Sequence, residues 1–314
     1  MKSEIVSIAK ENLADIVGFA PKSRFKSDDP IFKIFPETET VICLAFRVLR
    51  GIYRGTEEGT TYYQYTTMGV ENMEETIMPM AQIRVADYIE NKGHIALPQR
   101  RHQQIMTEEH STNPEVAYDA VYRGKTAEYQ MNFEEAAVKC GIGERGFSGS
   151  VLTDDFGPMV RYCFILTNAE IEPTELKKPH LCDNCKKCAA ACPGNAISQE
   201  NGELDRWRCT VYYNGANGTK NPFMPYDAFA DMDDRIKIIA GEAEITPEKA
   251  RIILNEIYFY PPAQHAYQCS ICGRACDTEC YVHLEEKGVL KRKFNRPFRE
   301  REPWRFNLKD FENS

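Results

Sequence analysis

The sequence predicts an α+β fold, in which a mixed domain of strands and helices precedes a small, mostly helical module. As far as residue 172, β-branched apolar runs alternate with segments of helical periodicity. Beyond that point lie two runs of closely spaced cysteines, with helical segments between them. These observations predict three parts: an α/β domain that binds cofactor and substrate over 1–172, a cysteine-rich domain over 173–290 and a C-terminal extension over 291–314.

Composition narrows the class of protein. The chain has 314 residues, of which 42% are hydrophobic and 27% charged, so an ordinary globular core is available. A net charge of −8 makes a nucleic-acid partner unexpected. The N-terminus has no signal-peptide pattern, and no apolar run is long enough to cross a bilayer. We therefore expect a cytoplasmic protein without a membrane partner, and a homodimer is left open.

The elements of the first part follow from periodicity and from the residues that break it. The pattern predicts, in order, a helix over 3–14, a strand over 15–21, a buried strand over 40–48, a loop over the glycine-rich 51–60, and a helix over 62–91. Pro79 should kink or divide the last helix. A brief strand over 94–97 follows, and Asn132 should cap a helix that runs to Cys140.

The remaining elements frame the cysteines. Residues 150–153 and 159–167 are predicted to pair as a β-hairpin around a turn. Helices are predicted over 204–214, which carries Cys209, over 226–240 and over 246–258. Cys43 and Cys163 lie in apolar strands and are expected in the core.

A glycine-rich turn connects the last helix of the first part to the predicted hairpin. Its glycines are Gly141, Gly143, Gly146 and Gly149. It is not a dinucleotide-binding fingerprint, because no strong strand precedes it and no clear helix follows. Glycines at this density allow the backbone to approach a flat ligand closely. The turn is therefore a candidate cofactor-binding segment.

The cysteine runs carry the most specific signal. Cys182, Cys185, Cys188 and Cys192 form C-x2-C-x2-C-x3-C-P, a spacing typical of cubane iron–sulfur clusters whose fourth cysteine ligates a second cluster. A second set satisfies that requirement: Cys269, Cys272, Cys276 and Cys280, with Cys209 between the runs. Zinc usually takes separated cysteine pairs or a Cys/His mixture, so it suits this pattern badly. The sequence predicts an electron-transferring protein with two [4Fe-4S] clusters.

The order of segments resembles a known family. The segments are Ala14–Pro21, Tyr65–Met68, Cys140–Glu144, Gly157–Arg161 and both cysteine runs. Together they resemble the cobalamin-dependent reductases that include reductive dehalogenases and epoxyqueuosine reductases. The resemblance implies a nitroreductase-like α/β domain that holds base-off cobalamin, followed by a ferredoxin-like domain. It implies these cofactor-binding residues: Gly141, Gly143, Gly146, Phe147, Gly149 and Arg161.

The resemblance also implies a division of cluster ligands. Cys182, Cys185 and Cys188 would share one cluster with Cys276. The second cluster would be held by Cys192, Cys209, Cys269 and Cys272, which leaves Cys280 spare. An alternative division places the whole second run on one cluster and releases Cys209.

Candidate catalytic residues follow from the same match. Tyr65 or Tyr63 is the candidate proton donor, although these tyrosines could instead only line the core or the corrin cavity. Where the family carries Lys or Arg in its glycine turn, this chain has Phe147, and Arg145 lies two residues earlier. Without that cation, the chain lacks one way to stabilise a developing anion. The family's dehalogenation or epoxide reduction therefore cannot be assigned to this chain from the resemblance alone.

Two functions of different classes remain. The first is a cobalamin-dependent reductase of an unidentified small molecule, similar to reductive dehalogenases. Electrons from a low-potential donor such as ferredoxin or flavodoxin would pass through both clusters to cobalt. The second is a two-cluster electron-transfer protein without its own cobalamin, for example a reductive activator of a corrinoid protein. A flavin-binding reductase on the same scaffold has less support. The basic tail over 287–305 is either a solvated face or a docking patch for an acidic donor.

Overall fold

A computed structural model describes residues 1–61, 64–101, 131–257 and 270–312. The chain divides into two compact units. The first unit comprises Met1–Val48, Asn72–Gly146 and Ser150–Asp183. The second comprises Leu49–Glu71, Phe147–Gly149 and Asn184–Ser314. Each unit is built from separate stretches of chain, and the domain boundaries at 172 and 290 stay a prediction.

The first unit contains a four-stranded antiparallel sheet. Its strands lie in the order β1 (Ile16–Pro21), β2 (Thr40–Arg47), β6 (Val160–Thr167) and β3 (Ala96–Gln99). The edge strands β1 and β3 contain Pro21 and Pro98, as expected for a residue that cannot donate to a ladder. The mixture of helices and strands confirms the mixed α/β class.

Helices cover both faces of this sheet. Along β2, Ile42 and Leu44 pack in the same cluster as buried residues of α1 (Lys2–Glu11) and α4 (Met78–Glu90). The alternate residue Cys43 packs on the other face with α5 (Phe133–Lys139). A strand buried on both faces reads as a continuous apolar run, which is why β2 was predictable. Cys163 is buried on the face opposite Cys43, so the expectation that both lie in the core is confirmed.

The predicted hairpin of 150–153 with 159–167 is wrong. β5 (Val151–Leu152) pairs with β4 (Glu144–Arg145), whereas β6 lies in the main sheet between β2 and β3. β6 is long and apolar, so two neighbouring strands bury it better than one short partner would. The helix cap was correct: the side chain of Asn132 accepts a hydrogen bond from Glu135 N at 3.1 Å.

The segment predicted as a loop over 51–60 is a helix, α3 (Arg50–Glu58), which Gly59 ends in the left-handed conformation. The helix predicted over 62–91 is divided. Two π-helical stretches, Tyr65–Glu71 and Met73–Ile77, precede α4. Pro79 lies in the first turn of α4, where its missing N–H removes no helical hydrogen bond.

Short helices make up most of the second unit. They are α6 (Lys187–Ala190), α7 (Arg206–Tyr213), α8 (Arg235–Ala240), α9 (Pro247–Ile257), α10 (Ala275–Glu286) and α11 (Lys309–Glu312). Val211, Ile238 and Ile253 form the centre of their core. The helix predicted over 226–240 begins only at Arg235, because Phe229 has a left-handed φ of 58° that no α-helix accommodates.

The C-terminal extension packs onto α3 within the second unit. Trp304 N donates to Glu57 O at 2.8 Å, and Arg299 Nε lies 2.6 Å from Glu57 Oε1. A Cβ on Gly59 would lie 2.6 Å from the ring of Trp304, so the indole requires glycine there. The extension therefore packs back onto an earlier segment of the same unit. Among the helices in the described ranges, none has the length and apolarity to cross a membrane.

Candidate functional site

Four cysteines from separate segments of the second unit are close enough to influence one another electrostatically. Cys192 follows α6, Cys209 lies in α7, Cys272 precedes α10, and Cys276 lies in its first turn. Burial raises the pKa of Cys209 to about 12, with smaller contributions from Cys272 and Cys192. Burial likewise raises the pKa of Cys272, and Cys192 adds to that shift.

Burial thus favours the protonated form of Cys209 and Cys272, and a metal that binds them displaces those protons. Four sulfur donors that are close enough to repel one another as thiolates suit an iron–sulfur cluster. The residues present at this site fit such a group.

The turn after Cys192 is held rigidly from several sides. Asn217 Nδ2 donates to Pro193 O at 2.6 Å, and Arg208 donates to Gly194 O and, at 2.9 Å, to Gly241 O. Ala196 N donates to Cys192 Sγ at 3.3 Å. Hydrogen bonds to ligand sulfurs are one of the ways in which a protein sets the reduction potential of a cluster.

An ion pair between the partly exposed Arg274 and the buried Asp277 lies next to Cys276. Arg274 Nε and Nη2 each lie 2.7 Å from Asp277 Oδ2. Asp277, followed by smaller effects of Cys276 and Tyr65, raises the pKa of Arg274 above its usual range. A fixed positive charge this close to ligand thiolates favours added negative charge on whatever they hold.

Tyr65 lies in the interior of the second unit, with 1% of its surface exposed. Its ring centroid is 4.9 Å from that of Tyr53. The next residue, Thr66, accepts a hydrogen bond from Ser270 N at 3.0 Å, which fixes this segment beside the second cysteine run. The structure therefore brings Tyr65 near Arg274. The other two catalytic candidates are placed differently: Arg145 is exposed on β4 in the first unit, and Tyr63 lies outside the described residues.

The glycines of the predicted cofactor turn pack against the chain itself. A Cβ on Gly143 would collide with Leu152 O, and one on Gly141, where φ is +75°, would collide with Glu175 O. Gly146 lies against the side chain of Leu152. Gly141 and Gly143 therefore allow main-chain segments to approach one another, and Gly146 makes room for a side chain. On the side where a Cβ would project, these glycines serve the packing of the chain itself.

The other predicted cofactor residues are distributed between the units. Arg161 forms an ion pair with Glu74 in the first unit. Phe147 lies in the second unit, where its carbonyl oxygen packs against Gly202, and Gly149 has a φ of 83°. The assignment of these residues to cofactor binding stays a prediction.

Sequence reasoning gave no role to Glu144, a buried carboxylate on β4 with 3% of its surface exposed. It accepts hydrogen bonds from the successive amides of His180 at 2.5 Å, Leu181 at 3.0 Å and Cys182 at 2.7 Å. The carboxylate thereby fixes the main chain at the first cysteine of the first run. Glu144 belonged to a segment that carried the family resemblance, but its spacing from the cysteines gave no sign of this contact.

The other predicted cluster ligands are distributed as follows. Cys185 is exposed, and Cys188 is buried in α6. Cys280 lies one turn after Cys276 in α10 and is partly exposed. Cys269 lies outside the described residues.

No protein-family model matches the chain. The tetrachloroethene reductive dehalogenase of Desulfitobacterium hafniense is 43% identical over 67 residues, which are 20% of this chain and 12% of the relative. The epoxyqueuosine reductase of Bacillus anthracis is 30% identical over 107 residues, which are 34% of this chain and 27% of the relative. The chain thus matches only a minor part of each relative's length.

The chain is also similar to solved structures. An epoxyqueuosine reductase with an epoxyqueuosine-modified tRNA stem loop has a TM-score of 0.44 and 14% identity, over 92% of this chain and 82% of that one. The sequence similarity to both groups of reductases confirms the resemblance that the motifs predicted.

Proposed function

We propose that this chain is an iron–sulfur oxidoreductase that holds two [4Fe-4S] clusters and acts as a reductase. The observation that carries the proposal is the convergence of four cysteines in the second unit, from segments as distant as Cys192 and Cys276. The similarity to two groups of reductases supports it. Bound clusters would supply one-electron transfer at low potential.

The chain's own residues have definable tasks in that role. Cys182, Cys185, Cys188 and Cys276 would hold one cluster, and Cys192, Cys209, Cys269 and Cys272 the other, as the resemblance implies. The contacts of Arg208 and Asn217 would keep the Cys-Pro turn in place. Arg274 would stabilise the extra negative charge of a reduced state. Tyr65, buried near that cation, is the proton donor that we propose, and Tyr63 and Arg145 are the further candidates.

The resemblance adds that the first unit would be nitroreductase-like, that the second would be ferredoxin-like, and that the reductase would use base-off cobalamin on an unidentified small molecule. Gly141, Gly143 and Gly146 pack against the chain where a Cβ would project, so they give this addition no separate support. Cobalamin binding therefore rests on the resemblance alone. A low-potential donor such as ferredoxin or flavodoxin, a cytoplasmic location and a homodimer belong to the same proposal. A tRNA substrate, by analogy with the epoxyqueuosine reductases, is the alternative to a small molecule, but the net charge of the chain disfavours it.

A second function is favoured by the same glycines and by Phe147. In this alternative the chain is a two-cluster electron-transfer protein that reduces a partner and has no cobalamin of its own. The covered glycines and the aromatic side chain, in place of a cation, suit a unit that does not bind a corrin.

One experiment separates the two functions. The full chain is purified without oxygen, its iron and sulfide are measured, and its absorption spectrum is recorded after incubation with cobalamin and gel filtration. About eight irons with a retained corrinoid band would support the cobalamin-dependent reductase, whereas about eight irons without corrinoid would support the electron-transfer protein. Zinc in place of iron would contradict both. A double Cys192→Ser, Cys209→Ser variant serves as the control for cluster-dependent absorption.

A further inference from the structure

We propose that residues 287–297, the basic segment, form the surface on which an acidic electron-donor protein of the ferredoxin class docks. This inference rests on the proposed function, because it concerns how electrons reach the clusters. One electron would leave the reduced cluster of the donor and reduce one cluster of this chain, so no bond forms or breaks and no proton is needed.

The basic segment concentrates positive charge on an acidic protein. It contains five basic residues and no acidic one, whereas the net charge of the whole chain is −8. All five basic residues are exposed: Lys287, Lys291, Arg292, Lys293 and Arg296. Arg296 has 82% of its side chain exposed. Such a local positive potential attracts a negatively charged partner and speeds its association.

The main chain of the basic segment is fixed to the second unit. Arg50, at the start of α3, donates to Arg296 O at 2.8 Å, and its guanidinium lies 3.9 Å from the centroid of the Phe294 ring. Phe298, directly after the segment, is buried, and its N–H donates to Glu285 Oε2 at 2.6 Å. The basic side chains therefore project from an anchored main chain, so a partner has little backbone to order when it binds.

An exposed aromatic side chain lies among these charges. Phe294 follows Lys293 and has 45% of its surface exposed, although it is large and apolar. Aromatic and arginine side chains are enriched where proteins bind one another, and charged groups usually border the apolar centre of such a surface. A purely solvated basic loop has no need of an exposed phenylalanine, so the composition favours a docking surface.

The basic segment begins close to the first cysteine run. A ring nitrogen of His283 lies within 4.8 Å of Cys185 Sγ, and Cys185 is exposed. Lys287 N donates to His283 O at 3.0 Å, so the segment starts one helical turn after this histidine. α6, which carries Cys188, packs against α10. A donor on the basic segment would therefore lie near cysteines that we propose as ligands of one cluster.

The borders of the basic segment favour a compact acidic partner over a polyanion. Glu286 lies directly before the segment, Glu300 and Glu302 follow it, and all three are exposed. A nucleic acid or an anionic membrane carries its charge over a long distance and would meet these carboxylates as well. An acidic patch on a small protein can match the five basic residues alone.

Charge variants of the full chain, loaded with iron and sulfide without oxygen, test the docking surface. The segment variant combines Lys291→Gln, Arg292→Gln, Lys293→Gln and Arg296→Gln. The control variant removes the same charge from exposed residues of the first unit and combines Lys10→Gln, Lys26→Gln, Arg84→Gln and Lys92→Gln. Stopped-flow absorption measures how fast each protein is reduced by a reduced bacterial ferredoxin and, separately, by the methyl viologen radical cation.

We expect ferredoxin at low ionic strength to reduce the segment variant at least about tenfold more slowly than the parent, and the control variant less than about twofold more slowly. Added salt should slow the reduction of the parent and should affect the segment variant much less. Methyl viologen, a small cation, should reduce all three proteins at similar rates. Phe294→Ala should slow the reduction by ferredoxin and keep its salt dependence, because it removes apolar contact without changing the charge.

Equal rates for the segment variant and the parent, or an equal loss in both charge variants, would overturn the proposal. Tighter binding of the parent to tRNA or to phosphatidylserine vesicles than to ferredoxin would also overturn it, if the segment variant loses that binding. Circular dichroism shows whether the segment variant folds; if it does not, Lys291→Gln with Arg296→Gln gives the same comparison. A parent chain that binds no iron would refute the proposed function. An iron-loaded parent that ferredoxin does not reduce, or reduces no faster than the segment variant, would refute only the docking surface.

Discussion

The contacts of Glu144 lead to a quantitative prediction. In Glu144→Ala, the amides of His180, Leu181 and Cys182 lose the acceptor that they share. Hydrogen bonds to a charged group contribute about 1.5–3 kcal/mol each, and a buried donor left without a partner costs its desolvation as well. Leu181 is buried, so water cannot replace the carboxylate at that amide. We expect the free energy of unfolding to fall by about 3–5 kcal/mol, less than the sum because the three bonds share one group.

Glu144→Gln should be intermediate. Oε1 accepts from Leu181 N at 3.0 Å and Cys182 N at 2.7 Å, and one amide oxygen can keep both bonds. The amide nitrogen would then face the donor His180 N, which now lies 2.5 Å from Oε2. One hydrogen bond is lost and two donors face each other, so we expect the free energy of unfolding to fall by about 1–2 kcal/mol.

Denaturant unfolding of the metal-free variants, followed by circular dichroism, measures these differences. Glu170→Ala is the matched control, because Glu170 is an exposed glutamate of the same unit, and it should change stability by less than about 0.5 kcal/mol. Equal stabilities of Glu144→Ala and Glu170→Ala would show that the carboxylate does not hold this loop. In the iron-loaded protein, Glu144→Ala should also release iron to a chelator faster, since Cys182 loses its anchored amide.

Two further predictions concern stability. Burial, with the charge of Arg305, lowers the pKa of Lys220 to about 8, and its Nζ donates to Trp304 O at 2.7 Å. The folded state then loses this proton before the unfolded state does, so stability should rise between about pH 8 and 10.5, by on the order of 1–2 kcal/mol after allowing for solvent screening. Lys220→Met should lack that rise when the two proteins are melted at pH 7.5 and 10. In Gly143→Ala, the free energy of unfolding measured in denaturant should fall by about 2–4 kcal/mol, because the added Cβ would collide with a backbone oxygen. In Gly51→Ala, the added Cβ in α3 would meet no other atom, so the free energy of unfolding should stay unchanged or rise by up to about 1 kcal/mol. Similar losses of stability in Gly143→Ala and Gly51→Ala would contradict this reasoning.

The strongest sequence signals gave the right elements for identifiable reasons. The run over Thr40–Arg47 is apolar throughout because both of its faces are buried. α9 begins with Pro247 in its first position after Thr246, whose hydroxyl accepts from Lys249 N at 3.2 Å. Local chemistry alone determines such features, so the sequence suffices to predict them.

The errors occurred where tertiary contacts override local preference. α3 was predicted as a loop because Gly51 and Gly55 weaken helix propensity. Gly55 is required there for a different reason: a Cβ would collide with Thr61, which closes the turn after the helix. Similarly, the amides of His180 and Cys182 are satisfied by a glutamate nearly forty residues earlier, and no periodicity records such a contact.

The assignment of cluster ligands shows the same limit within the most specific motif. The second run can be divided as C-x2-C-x3-C, which ends at Cys276, or as C-x3-C-x3-C, which begins at Cys272 and ends at Cys280. Spacing cannot separate these divisions, because each brings three thiols within reach of a cluster. In α10, Cys280 lies one turn beyond Cys276, about 6 Å further along the axis, and both are partly exposed. Iron counts of Cys276→Ala and Cys280→Ala would separate the two divisions: loss of iron in Cys276→Ala alone would support the first division, whereas loss in Cys280→Ala would support the second.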